Sequence, residues 1–117
     1  MPVDLDRAEF ERLVDRALDE IPAEIARAVQ NVIVLVEDEP PLDDPDLLGV
    51  YDGIALTERE ANYAAELPDR ITLFRLPLQR LCDSLSELER EVRITVVHEV
   101  AHHFGIDDER LHDLGYG

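Results

Sequence analysis

Residues 98–108 read H-E-V-A-H-H-F-G-I-D-D and hold most of the chemistry the chain can offer. On a helix, His98 and His102 stand one turn plus about 40° apart, so both imidazoles project from one face. Two such rings can bind one zinc ion at about 2.0–2.1 Å each. Glu99 lies about 100° round from His98, beside the open side of that site. There a carboxylate can take a proton from water and pass it to a leaving amine, while zinc lowers the pKa of bound water to about 7 and polarises a carbonyl. The fifteen residues after His102 must supply a third ligand. Gly105 can adopt positive φ and end the helix, turning the chain back beneath the histidines. Asp108, three residues on, then completes a set of two histidines and one aspartate with a fourth position open, as in catalytic rather than structural sites. His112 is the rival third ligand and reaches the site only if the last helix folds back.

The neighbours of these residues have plainer roles open to them. Asp108 could cap the last short helix, but Asp107 can fill that position, so both readings can hold together. His103 points about 100° away from His102, toward solvent or a partner of the site. Tyr116 could donate a hydrogen bond to an oxyanion or simply pack.

A helix must carry this cluster, and the preceding residues supply one. Over "ELEREVRITVVHEVAHHFG", Leu88, Val92, Val96 and Val100 can face a core, with Ser84 and Glu87 or Ser86 and Glu89 as a cap. "DDERLHDLG" allows one short acidic helix after it. At the other end, "DLDRAEFERLVDRALDEI" sets Phe10, Leu13, Val14, Ala17, Leu18 and Ile21 on one face, capped by Asp4 or Asp6. Pro22 predicts a break before a short helix over "AEIARAV". The β-branched run in "NVIVLVED" predicts a central strand covered on both faces. "EPPLDDPDLLG" is the long loop, and "VYDG" a short strand and turn. Thr57 and Glu60 form a capping box for a helix that Pro68 stops. "RITLFRLPL" is a second strand, placed at an edge by Pro77. The sum is an α+β domain: a small mixed sheet packed against helices, with the histidine-bearing helix near the C-terminus.

At 117 residues, with 45% hydrophobic and 33% charged residues, the chain fits one globular domain spanning 1–117. Its 28 acidic and 11 basic residues leave a net charge of −17, and every base is arginine. Without lysine there is no Schiff-base chemistry. Such acidity argues against nucleic acid or an anionic membrane as partner, since phosphates would be repelled. Cys82 is alone, which rules out an intrachain disulfide and suits a buried small hydrophobe. The absence of a signal-like start and of any apolar run near 20 residues leads to the expectation of a cytoplasmic protein.

The run H-E-x-x-H-x-x-G-x-x-D over residues 98–108 resembles the extended signature of the zincin metallopeptidases. Together with the small size, the N-terminal helices and "LTERE…LPDRITLFRLPL", it makes the chain look like a minimal bacterial zincin-like metallopeptidase family. That resemblance implies His98, His102 and Asp108 as zinc ligands, one zinc per chain, and Glu99 as general base. It also implies that Arg70, Ile71, Thr72, Leu73, Phe74 and Arg75 form an edge strand along which a peptide lies by strand addition. The chain departs from the metzincins in ending the motif on aspartate and in having Met1 as its only methionine, so it has no methionine turn. Fifteen residues after His102 also cannot build the lobe that walls the cleft in larger zincins.

The resulting expectation is a zinc-dependent hydrolase of short or unstructured peptides, with a protein partner able to complete the cleft. The alternatives are a non-catalytic zinc-binding module acting through a protein partner, and an interaction domain without metal.

Overall fold

The computed structural model describes residues 3–53 and 69–116. The expected helix between Thr57 and Pro68 lies outside the described residues. The chain first forms α1 (Arg7–Leu18), which buries Phe10, Leu13, Val14 and Ala17. Asp6 caps it in a full capping box: its carboxylate accepts the Glu9 N–H at 2.8 Å, and the Glu9 side chain accepts the Asp6 N–H. Those hydrogen bonds hold the Asp6 carboxyl below its usual range. After Pro22, α2 (Ala23–Ala28) buries Ile25, and one 3-10 turn (Val29–Asn31) leads into β1 (Val32–Glu37).

The strands β1, β2 (Gly49–Asp52) and β3 (Asp69–Phe74) form one mixed sheet in the order β1-β3-β2. β3 runs parallel to β1, from Val32 opposite Asp69 to Glu37 opposite Phe74, and antiparallel to β2, from Gly49 opposite Leu73 to Asp52 opposite Arg70. This reverses the expected placement of the two long strands. Residues 70–74 are not an edge strand, because β3 is paired on both sides and has no free edge to receive a peptide. Arg75, the last residue assigned to that strand, opens α3 (Arg75–Arg80) instead. Pro77 sits in the first turn of α3, where an N–H has no intrahelical acceptor to lose, so it carries no edge signal.

β1 in turn pairs only with β3 among the described residues, and it is not covered on both faces. Ile33 and Leu35 are 45% and 39% exposed, whereas Val36 on the opposite face is 5% exposed. An unbroken apolar run therefore concealed a one-sided strand with a period-two burial pattern. The Arg7 guanidinium donates to the Val36 carbonyl, which satisfies one backbone acceptor of β1.

The helices cover the other face of the sheet. Ile71 and Leu73 from β3 join Phe10, Leu13, Ile25, Leu78, Leu88 and the valines of the long helix α4 (Leu85–Phe104) in one core. Leu88, Val92, Val96, Val97 and Val100 are all fully buried, as the helical spacing predicts for four of them. Ser84 rather than Ser86 caps α4, accepting the Glu87 N–H at 3.2 Å. Cys82 is buried in the same core, and that burial pushes its thiol pKa up, so it serves as a small hydrophobe. No helix among the described residues is long and apolar enough to cross a membrane.

Candidate metal centre

α4 carries both motif histidines, and three local features fix where its last two turns lie. Gly49 on β2 lets the strand approach closely: a Cβ there would stand 2.8 Å from Thr95 Cγ2, one turn before Glu99. Further along, the His103 ring stacks on Tyr51 of β2, with centroids 3.9 Å apart and planes at 18°. Its Nε2 is 3.7 Å from Asp69 Oδ2, and the Tyr51 hydroxyl donates to that same oxygen at 2.7 Å. His103 thus ties the helix end to β2 and β3 while staying partly exposed to solvent. Gly105 then ends α4 at φ +71°, and the Ile106 N–H returns to the Ala101 carbonyl at 2.9 Å.

The chain turns back as expected and forms α5 (Asp108–Asp113). Asp107 is its cap, accepting the Arg110 N–H at 2.8 Å, which leaves the Asp108 carboxylate out of the capping role. Arg110 forks onto Glu24 of α2, with Nη2 2.6 Å from Oε1 and Nε 3.1–3.2 Å from both oxygens. The Arg110 hydrogen bond holds the Glu24 carboxyl below its usual range, and the same contact raises Arg110 further. Leu111 is buried in the main core, so α5 is docked by one apolar and one ionic anchor.

Two open hollows meet at the motif histidines. The first, of about 420 Å³, is lined by His98, Glu99 and His102 together with Thr95, Glu91 and the loop residues Asp44, Asp46, Leu47 and Leu48. The second, of about 380 Å³, is lined by His98, His102, Asp108, Leu111, His112 and Tyr116. His98 and His102 therefore form the ridge between a side holding Glu99 and a side holding Asp108. His112 shares the second side, so both candidate third ligands remain within the same hollow. Asp44, Asp46 and, on α4, Glu91 went unassigned in the sequence; for the two aspartates the acid-rich loop "PPLDDPDLLG" was the available signal, but its position against α4 is a tertiary fact.

The donor types suit zinc: two imidazoles and a carboxylate beside open space. Their present arrangement is not a closed ligand set, since no three histidine, cysteine or acidic side chains are gathered for a metal ion among the described residues. One donor is engaged elsewhere. His98 Nε2 lies 2.8 Å from the Tyr116 carbonyl oxygen, and because a carbonyl only accepts, the contact is a hydrogen bond in the tautomer that carries its proton on Nε2. Arg70 within β3 and Arg75 just after it form ordinary ion pairs with Asp52 at 2.5 Å and Asp38 at 2.9 Å.

A small mixed sheet, with a helix beneath it presenting H-E-x-x-H toward an open hollow, defines a zincin-type α+β domain. The chain belongs to the zincin-like metallopeptidase family, whose model matches residues 29–117. Among solved structures it is similar to a conserved hypothetical protein from Thermus thermophilus, with 25% identity and a TM-score of 0.59. That match covers 84% of this chain and 92% of the other. No curated protein matches the sequence.

Proposed function

We propose that the protein is a zinc-dependent peptidase of short or unstructured peptides, with zinc held by His98, His102 and Asp108. The observation that carries this reading is the shared ridge: one pair of histidines borders both the hollow of Glu99 and that of Asp108. When bound, zinc supplies Lewis acidity, polarising a carbonyl oxygen and favouring attack by water at neutral pH. The chain's own residues do the rest. Glu99 accepts the proton of the attacking water and delivers it to the leaving amine. β2 takes over the substrate-strand role that β3 cannot fill, because Leu47, Leu48 and Gly49 border the hollow of Glu99. Among the described residues β2 pairs only with β3, and an extended peptide would add at its other edge.

The second reading is a zinc-binding module that acts through a protein partner without catalysis. Among the described residues the hollow beside Glu99 is open, which favours it, since a partner could cover that side. Elemental analysis of zinc-reconstituted wild type beside Asp108→Ala tests the ligand set. One zinc per wild-type chain, lost or much weakened in the variant, supports it, whereas full retention by the variant moves the third ligand to His112. A peptide-library screen of wild type and Glu99→Gln then separates the two readings. Cleavage by wild type alone supports the peptidase, equal cleavage by both removes Glu99 from the mechanism, and none by either favours the binding module.

A further inference from the structure

We propose that the turn at residues 115–116 is an internal latch on the candidate metal centre, engaging His98 until metal displaces it. The inference rests on reading His98 as a metal-binding residue. The Tyr116 carbonyl lies 2.8 Å from His98 Nε2, in the direction along which that nitrogen would offer its lone pair to a cation. A metal at about 2.0–2.1 Å from Nε2 and a carbonyl at 2.8 Å cannot occupy that direction together. A hydrogen bond to that carbonyl requires the proton on Nε2, and for the nitrogen to ligate that proton must pass to solvent while another is taken up at Nδ1.

The turn is built for this reach. Gly115 adopts φ +90°, its N–H donates to the His112 carbonyl at 3.0 Å, and the Tyr116 N–H returns to the Leu111 carbonyl at 2.8 Å. The chain is thereby wrapped over the end of α5 and back to α4. Tyr116 lines the hollow that His98, His102, Asp108 and His112 share, and its carbonyl reaches the Nε2 of His98 there. The helix α5 carries Asp108 and the turn that follows it carries the competing carbonyl, so the proposed third ligand and that carbonyl lie in one short stretch of chain. The Arg110–Glu24 anchor of α5 involves neither residue of the turn, so displacing the turn frees Nε2 while that ion pair stays in place.

The test compares zinc affinity, read by competition with a chromogenic chelator, for three metal-free proteins: wild type, Gly115→Ala and a chain ending at Leu114. The alanine meets no atom within 4 Å, so it acts only by opposing the positive φ that aims the Tyr116 carbonyl. Both variants should bind zinc about five- to tenfold more tightly, the net worth of one hydrogen bond. Long-range proton–nitrogen NMR of metal-free wild type, well above the ordinary histidine pKa, should show His98 protonated on Nε2. Zinc should then shift the Gly115 and Tyr116 amide signals. Equal affinity in all three proteins overturns the latch and leaves the metal reading intact. Absence of zinc binding in all three overturns both. An Nδ1-protonated His98 in the metal-free wild type overturns the latch even if the truncated chain fails to fold.

Discussion

Asp107 and Asp108 are adjacent carboxylates with separable work. Asp107 accepts the Arg110 N–H and starts α5, while Asp108 borders the hollow beside His98 and His102. Asp107→Ala should therefore lower stability by about 1 kcal/mol, the usual cost of a lost N-cap, and leave zinc stoichiometry at one per chain. Urea unfolding and elemental analysis on the same preparation check both halves. Loss of zinc from this variant would mean that the cap, not the Asp108 carboxylate, governs the site. At this scale the motif was legible because helical geometry is local: the spacing of His98, Glu99 and His102 fixes their relative directions. What His103 touches was not legible, since Tyr51 and Asp69 reach it from strands far away in sequence.

α5 is the element on which the site depends most. It is six residues long, too short to persist by itself, and its position comes from Leu111 in the core and the Arg110–Glu24 fork. The lowered Glu24 pKa gives that anchor a definite pH sign. A carboxyl whose folded pKa is depressed stabilises the folded state above its unfolded value and loses that contribution as pH falls through the folded one. Amide protection of Leu111 and Leu114 in hydrogen exchange should accordingly fall as the pH drops below about 4. Glu24→Gln should show reduced protection at neutral pH and little further change on acidification. Protection that falls identically in both proteins would remove the ion pair as the cause. Caps at Asp6 and Ser84 and the turn at Gly105 could be read in advance, because each joins residues only three or four apart. The partner of Arg110 is 86 positions away, so only the fold reveals it.

For the whole molecule, the balance is between one core and a net charge of −17. A metal ion bound only by the folded state adds stability through mass action, about 2.7 kcal/mol at a hundredfold excess over Kd. Removing zinc with a chelator, verified by elemental analysis, should lower the melting temperature of the wild type and have little effect on Asp108→Ala. An unchanged wild-type melt after verified removal would separate metal binding from folding. Periodicity, caps and glycine positions in the sequence determined the first two helices, the long histidine-bearing helix, the short helix after it and the α+β class, while the helix α3 was hidden in a run that reads as strand. Each of those features joins residues within one or two turns of chain. Strand order, the one-sided exposure of β1, the enclosure of β3 and the contact between His98 and Tyr116 were decided by tertiary structure. These depend on which surfaces meet across long stretches of sequence, and an apolar run or a lone histidine reads the same whichever neighbour packs against it.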